Sequence, residues 1–454
     1  MSENTTVWRK GITGAAPPPL LQFRPFPADV VQKVGSLSAF FLDGYQRTGP
    51  IYRFNRGGKS FVVLSGVEAN QFMNCDGHHH IYAQEYRQEQ NEELGIEKNL
   101  VSMTGDEHHQ FRKLHKRGYS RSALNPKYPK LLELTQKFAQ QWSRDERIPV
   151  TEVMPRLIAE QLGVGVINYP LGDYFDDVVT FVRTVTIETV ARIRPRQVLD
   201  TAEYKQAKTR SLELADKVLA AHRGCPMHQR QPDVIDDLLD ALTDDDDFMT
   251  EQELRIAALG GYIGGLDTVA YTCAFMLYEL LKDPELLAEI TAEIDTTIAT
   301  DGLTPQSLKK MPCLRAATLE TLRLYPVSPA IQGTVYYPFE FAGYQVHAGQ
   351  EIIVGVTVPH HLPEYYPEPF TFDIGRYSAP RNEHRQAGAF APFGIGEHLC
   401  LGAGMAETFI QLTLASLLHT VRLELDPPDY TLAISALPTP KPDNFFVRVT
   451  ERRP

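Results

Sequence analysis

The spacing of apolar residues predicts a mainly helical protein. From Gly105 to about Asp426, apolar side chains recur mostly every three or four residues, the spacing that gives a helix one buried face. A shorter helical segment runs from Asp29 to Gln46. Strand-like segments occupy residues 51–66, 333–356 and 420–434, and the first contains a hairpin signal at Asn55-Arg56-Gly57-Gly58. We therefore expect one large, mainly α domain over residues 1–454, with small β-sheets at one edge.

The local sequence predicts the structure of two further segments. Thr250 and Glu253 form the capping-box pattern that starts a helix. The acidic run from Asp244 to Asp247 stands just before it and is interpreted as a solvated loop. Residues 75–102 are polar and irregular, which predicts a long loop with short helical pieces.

The run from Ile256 to Tyr278 carries little charge and is long enough to cross a bilayer. Asp267 lies in its middle, four glycines interrupt it, and no second run of this kind exists. We therefore expect a helix buried in a protein core and no transmembrane anchor. The proline-rich arm of residues 1–27 has no apolar stretch of signal-peptide length.

Charge and cysteine content narrow the class of protein further. The chain has 45 basic and 57 acidic side chains, a net charge of −12, which argues against general nucleic-acid binding but permits a local basic patch. Its five cysteines are odd in number and far apart. We therefore expect no disulfide framework and a cytoplasmic location.

One cysteine stands in a distinctive setting, the loop FGIGEHLCLG at residues 393–402. Cys400 lies between Gly396 and Gly402, which allow close backbone approach, and an apolar helical segment follows at once. A helix N-terminus favours the thiolate form. Such a thiolate is a nucleophile or a metal ligand, while the other four cysteines fit structural roles.

This loop resembles the heme-binding loop of the cytochrome P-450 superfamily, the heme-thiolate monooxygenases. The resemblance covers roughly residues 20 to 450 and implies the helical P-450 fold with heme b (iron protoporphyrin IX) as cofactor. It implies that Cys400 is the axial iron ligand, that Phe393 packs beside the sulfur and that His398 reaches a heme propionate. Gly396 and Gly402 also match the family's loop pattern.

The segment GGLDT matches a second family motif. By themselves, Asp267 and Thr268 could relay protons in a pocket poor in water. They could equally be structural, with Thr268 bonded to its own helix and Asp267 in a buried ion pair. The resemblance implies the first role, with the nearby Gly264 letting the cofactor approach the helix.

Three further motifs complete the resemblance. His108 and Arg112, four residues apart, are implied to bind heme propionates. Glu320, Arg323 and Arg376 are implied to form a structural network behind the cysteine loop. A further propionate-binding arginine is common in the family, but this chain has Gln332 in that region. The full set of propionate ligands is therefore left open.

The leading hypothesis is a monooxygenase that uses O2 to hydroxylate or epoxidise an apolar small molecule such as a terpenoid, steroid or fatty acid. Electrons would come from a separate ferredoxin- or flavodoxin-type donor with its reductase, docking on an exposed basic face formed by Lys113, Lys116 and Arg117. The alternatives are a peroxide-using or rearranging heme-thiolate enzyme, and a heme-thiolate sensor or carrier without turnover. We expect a monomer. The candidate substrate-pocket residues are Leu259, Tyr262, Ile263, Leu266, Val327, Ala330, Ile331 and Leu437.

Overall fold

A computed structural model describes residues 8–10, 16–192, 196–225, 231–244 and 248–453. Parts of the N-terminal arm and Asp245 to Asp247 of the acidic run lie outside these residues. Helices dominate the described chain: α1 (Ala28–Thr48), α2 (Val67–Cys75), α3 (Gly77–His80), α4 (Gln88–Leu94), α5 (Gly105–Gly118), α6 (Arg121–Leu124), α7 (Tyr128–Gln140), α8 (Val150–Leu162), α9 (Phe175–Val185), α10 (Ala202–Gly224), α11 (Val234–Asp244), α12 (Glu251–Ala258), α13 (Gly260–Lys282), α14 (Pro284–Asp301), α15 (Pro305–Leu308), α16 (Pro312–Leu324) and α17 (Ala403–Thr420).

The strands are short and form small sheets. They are β1 (Trp8–Lys10), β2 (Ile51–Arg56), β3 (Lys59–Ser65), β4 (Ile81–Tyr82), β5 (Arg147–Pro149), β6 (Ile331–Val335), β7 (Phe339–Phe341), β8 (Tyr344–Val346), β9 (Glu351–Gly355), β10 (Val421–Leu425), β11 (Ile434–Ser435), β12 (Lys441–Pro442) and β13 (Phe446–Arg452). The mainly α prediction is confirmed. The chain divides into two compact units, each described by itself below, and the single-domain expectation stays a prediction.

The first unit, residues 1–89, 100–109 and 322–400, is built around a five-stranded sheet in the order β2-β3-β9-β6-β4. Alternate residues of β3 point to opposite faces, so Val62 and Leu64 join one core cluster and Phe61 and Val63 another. The sheet is therefore buried on both sides. Its β2–β3 hairpin turns at Gly57 and Gly58, whose φ angles of +59° and +78° suit glycine.

The second unit, residues 90–99, 110–321 and 401–454, contains most of the helices. Helix α13 packs at its glycines against α8 and the segment that follows it: a Cβ on Gly265 would come within 2.9 Å of Leu162 in α8, and one on Gly261 within 2.8 Å of Ile167 in that segment. Helix α17 is buried along most of its length. A three-stranded sheet, β10-β13-β5, and the pair β11-β12 complete the unit.

Most of the predicted elements are present. Helix α1 extends the predicted segment slightly at both ends, and the capping box at Thr250 and Glu253 is formed by both of its hydrogen bonds. The predicted central helix is divided, because α12 ends at Ala258, Leu259 forms a turn, and α13 begins at Gly260. Residues 269–280 of α13 are buried, as expected for a core helix. The expectation that no second run of this kind exists is wrong, because the segment Gly396–Thr420 also has the length and hydropathy of a membrane span; 67% of its most apolar part is buried within the protein.

Candidate active site

The cysteine loop, residues 393–402, has a tightly constrained backbone. The Cys400 amide donates a hydrogen bond of 2.9 Å to the Phe393 carbonyl, which closes the loop. Gly394 and Gly396 have φ angles of +77° and +75°, a region that favours glycine. A Cβ on Gly396 would lie 2.4 Å from the Met73 carbonyl oxygen, so any other residue there would displace the loop. The loop thus presents Cys400 at an exposed position.

Next to this loop, the first turn of α5 places a buried imidazole. His108 is 0% exposed, and its Nδ1 lies 3.3 Å from an Oε1 atom of Glu397, a residue of the cysteine loop. The same carboxylate accepts a 2.8 Å hydrogen bond from the Gly105 amide. The ring of His398 lies 4.5 Å from that of His108. Glu397 of the loop therefore contacts two residues at the start of α5, Gly105 and His108.

The charge of Glu397 is stabilised by these contacts. Burial raises the pKa of its carboxyl, but His108, the Gly105 N–H and His398 outweigh that effect and hold the pKa below its ordinary value. The Nε2 atom of His108 is also buried, and among the described residues it has no hydrogen-bond partner. A buried polar atom of this kind indicates a missing partner, since leaving it unsatisfied is costly.

The predicted network arginines are buried and bind backbone carbonyls. Arg323 donates to the carbonyls of His360 and Pro369, both at 2.7 Å. Arg376 donates to the Glu368 carbonyl at 3.0 Å and pairs with Glu383 at 2.8 Å. Glu320 is fully buried on α16.

His360 connects the helix end that carries Arg323 to the segment ahead of the cysteine loop. Its Nδ1 lies 3.1 Å from the Arg323 carbonyl, and its Nε2 accepts from the Ala391 amide at 2.9 Å. Burial and the neighbouring cations hold the pKa of His360 well below its usual range, so the ring is neutral. Sequence reasoning missed His360 and Glu383, because nothing in their spacing distinguishes them from surface residues.

In the second unit, Asp267 and Thr268 have structural partners. Arg183 of α9 donates two hydrogen bonds to the Asp267 carboxylate, at 2.9 and 2.6 Å, and a third to the Tyr271 hydroxyl at 2.7 Å. Thr268 donates to the Gly264 carbonyl at 2.9 Å. Burial opposes the charge on Arg183, but its bonds to Asp267 outweigh that effect and raise the pKa of the guanidinium. These contacts are the ones expected if Asp267 and Thr268 have a structural role, and they do not test the proton-relay role.

A cavity of about 140 Å³ adjoins these residues. Tyr262, Ile263 and Leu266 line it as predicted, together with Asp267 and Thr268. Its other walls come from α9 and the loop after β11, which the sequence did not single out: Val179, Val182, Arg183, Thr186, Pro438 and Thr439.

The remaining candidates lie elsewhere within the units. Leu259 is fully buried, while Leu437, beside the cavity-lining Pro438, is exposed. Ala330 and Ile331 pack against the two core clusters of the first unit, and Val327 is half-buried there. Gln332 lies on β6, paired with Ile353 of β9. Arg112 lies half-buried on α5, and Gly402 is the residue that precedes the first turn of α17.

A comparison with protein-family models identifies the family of the chain. The family model described as Cytochrome P-450 matches residues 18–444, nearly the whole chain. The chain belongs to the cytochrome P-450 family.

Known P-450 proteins resemble the chain in sequence and in fold. It is 30% identical over 228 residues to a sterol 14alpha-demethylase of Mycolicibacterium vanbaalenii, covering 49% of this chain and 50% of that protein. It is 28% identical over 334 residues to a self-sufficient cytochrome P-450 monooxygenase of Penicillium freii, covering 70% of this chain and 32% of the relative. The solved structure of the retinoic acid bound cyanobacterial CYP120A1 superposes with a TM-score of 0.81 at 21% identity, over 96% of this chain and 99% of that one. The P-450 fold is therefore shown, whereas the chain spans between a third and a half of these curated relatives.

Membership of the P-450 family implies a heme cofactor, and two features of this P-450 fit one. The two glycines with positive φ in the loop hold Cys400 at an exposed position, where it is available as a thiolate ligand. The buried Nε2 of His108 suits a carboxylate of the heme periphery, since an N–H there would gain a charged acceptor.

Proposed function

We propose that this P-450 is a heme-thiolate monooxygenase that holds heme b through Cys400 and oxidises an apolar small molecule with O2. The observation that carries the proposal is the cysteine loop, whose hydrogen bond from Cys400 to Phe393 and two left-handed glycines fix the thiol in place. When bound, the heme supplies the chemistry of oxygen activation and electron transfer.

The residues around the cofactor have distinct proposed roles. Cys400 would ligate the iron, and His108 and His398 would bind its propionates, with Arg112 as a further candidate. Arg323 and Arg376 would keep the segments behind the loop rigid through their bonds to backbone carbonyls. A Cβ on Gly264 would meet open space, which supports its role in giving a planar cofactor access to α13.

Proton delivery is proposed for Asp267 and Thr268. The Thr268 hydroxyl, bonded to the Gly264 carbonyl, has an oxygen that can still accept a hydrogen bond from a bound water. The Asp267 carboxylate accepts two hydrogen bonds from Arg183, so it can reach another partner only when that pair opens. The relay would therefore run through Thr268 and depend on movement of Arg183.

The cavity supports a neutral apolar substrate, closer to a terpenoid or steroid than to a fatty-acid anion. Five of its eleven lining residues are aliphatic, and the others are three threonines, Tyr262 and the Arg183–Asp267 pair. Arg183 is already paired with Asp267 and donates to the Tyr271 hydroxyl, so a substrate carboxylate would have to compete for it. A sterol demethylase among the relatives agrees with such a substrate.

Electrons would come from a separate ferredoxin- or flavodoxin-type protein with its reductase. Lys113 and Lys116 are exposed on α5 and offer a basic face on a chain of net charge −12. Arg117 is also exposed but pairs with Asp237, which reduces its contribution to the positive charge of that face. The monomeric state and the cytoplasmic location stay predictions.

The test of the proposed function is spectroscopic. The reduced protein with carbon monoxide should show the thiolate-type Soret band, and Cys400→His should lose that band while retaining heme. A variant at Cys273, whose thiol is buried in α13, serves as a control and should keep the band. NAD(P)H-driven oxidation with added redox proteins then separates a monooxygenase from a heme sensor, which would bind heme without turnover. An unaltered spectrum in Cys400→His would contradict the assignment.

A further inference from the structure

Three potential metal ligands meet where the cysteine loop contacts the start of α5. They are His108 and His109 of the helix and Glu397 of the loop, and the atoms that could bind an ion lie within 4.8 Å of one another. All three residues belong to the first unit of the chain. Two imidazoles and one carboxylate form a donor set that suits a divalent transition metal such as Zn²⁺.

The distances within this cluster match those between the ligands of one ion. Oε1 of Glu397 lies 3.3 Å from Nδ1 of His108 and 3.9 Å from Nε2 of His109. Around a tetrahedral Zn²⁺ with bonds of about 2.0–2.2 Å, neighbouring ligand atoms are about 3.4 Å apart. The side chain of His109 is 61% exposed, so it can move to shorten the longer of the two distances.

An independent observation, the burial of the His108 imidazole, indicates a missing ligand. The side chain is 0% exposed, and neither ring nitrogen has a hydrogen-bond partner among the described residues. Nδ1 is therefore close to Glu397 without being aligned with it for a hydrogen bond. Two ligands of one ion have this relationship, because each atom points at the ion rather than at the other ligand. A buried nitrogen without a partner is costly, and an ion bound at Nδ1 would remove that cost.

Glu397 is oriented by a hydrogen bond from outside the cluster. Its side chain is buried, and its Oε1 accepts the Gly105 amide at 2.8 Å. Outer partners of this kind orient the carboxylates that bind metals. On the opposite side of the cluster, the exposed His109 gives an ion access from solvent.

We propose that Nδ1 of His108, Nε2 of His109 and Oε1 of Glu397 bind one divalent transition-metal ion, with water completing its coordination. The site goes beyond the proposed function, because it requires no heme. The two are compatible, since an imidazole that binds a metal through Nδ1 carries its proton on Nε2, the atom proposed to donate to a heme propionate. The ion would fix the tautomer of His108 and join the cysteine loop to α5.

Calorimetric titration of the untagged, full-length chain with Zn²⁺ tests the site, both with heme bound and without it. Wild type should bind one tight equivalent. His109→Gln should weaken this binding at least about tenfold, because losing even an outer partner of a metal ligand changes affinity by that factor. Glu397→Gln should weaken it similarly, although its amide oxygen can still accept the Gly105 N–H and preserve the loop.

Binding by other surface histidines is the main rival explanation and has its own control. His78 and His79 are also consecutive, and their rings lie 3.8 Å apart on α3. Replacing both with glutamine should leave the tight equivalent unchanged. The inference is overturned if His109→Gln binds Zn²⁺ as wild type does, or if the variant without His78 and His79 loses the tight equivalent. A chain that binds no heme yet keeps this equivalent overturns the proposed function and supports the metal site.

Discussion

At the scale of single residues, the candidate site contains charged side chains that are partly buried. Arg183 and Asp267 are 28% and 13% exposed, and their bidentate contact adjoins the cavity. Partly buried pairs of this kind are costly to break from one side, because the remaining charge stays desolvated. The proposed relay and the stability of α13 would therefore depend on one ion pair.

Removing Arg183 should destabilise the protein measurably. Arg183→Gln leaves the Asp267 carboxylate partly buried with weaker partners, and we expect a loss of about 2 kcal/mol in the free energy of unfolding. Tyr271→Phe, the matched control, removes only one hydrogen bond from the same guanidinium and should cost about 1 kcal/mol. Urea unfolding of the heme-loaded proteins measures both. Equal values for the two variants would contradict a dominant role for the ion pair.

A second prediction concerns acid stability at Asp295. Burial raises the pKa of this carboxyl, but Arg453 and His419 outweigh it and lower the pKa to about 2. A depressed folded pKa stabilises the protein above the unfolded value near 3.9, and the contribution is lost as pH falls from about 4 to 2. Asp295→Asn should therefore cost about 1–2 kcal/mol at pH 7, allowing for solvent screening, and less at pH 3.

Urea unfolding at the two pH values measures that difference. Asp301→Asn is the control, because Asp301 pairs with the exposed Lys310 alone among the described residues and should contribute little at either pH. If the difference in unfolding free energy between wild type and Asp295→Asn stays constant from pH 7 to pH 3, the carboxylate charge is not the cause of that difference.

At the scale of elements, helix α13 is a compromise between helix propensity and close packing. Its glycines cost conformational entropy, yet two of them let α8 and the segment after it come near. Another, Gly264, has open space where a Cβ would be. Glycines that look equivalent in the sequence thus serve different purposes.

Alanine substitutions distinguish these glycines. Gly265→Ala would place a Cβ 2.9 Å from the Leu162 side chain, so we expect a loss of about 1–2 kcal/mol. Gly264→Ala meets no neighbour and should stabilise the cofactor-free protein by about 0.5–1 kcal/mol through helix propensity. Thermal unfolding of the apoprotein measures both. The interpretation fails if the two variants shift the midpoint in the same direction.

At the scale of the whole molecule, charge determines which partners can approach. The net charge of −12 repels acidic proteins, so any acidic electron donor requires a local cationic face. Lys113 and Lys116 are exposed on α5 and have the helical spacing of one face, whereas Arg117 is engaged with Asp237.

Reversing both lysines to glutamate should slow reduction by an acidic ferredoxin about tenfold or more at low ionic strength, and less as salt screens the charges. Lys309→Glu, at another exposed lysine, is a control for charge change alone. Stopped-flow reduction over a salt series measures the rate, and peroxide-supported turnover should stay constant. Equal rates for the lysine variant and wild type across the series would exclude this docking face.

The sequence by itself determined the class of fold and the position of the cysteine loop. Helical periodicity is a local property, so α1, the β2–β3 hairpin and the capping box at Thr250 could be predicted from neighbouring residues. The pattern around Cys400 is also local, because left-handed backbone at fixed positions restricts which residues fit there. These features need no knowledge of distant contacts.

The tertiary structure alone decided which distant groups meet. Arg183 and Asp267 are 84 positions apart, and Glu397 lies 289 positions after His108, so no spacing rule could pair them. The different roles of the α13 glycines likewise depend on which residues pack against each one. Electrostatic and steric interactions fall off with distance in space rather than along the chain, and only the folded chain defines those distances.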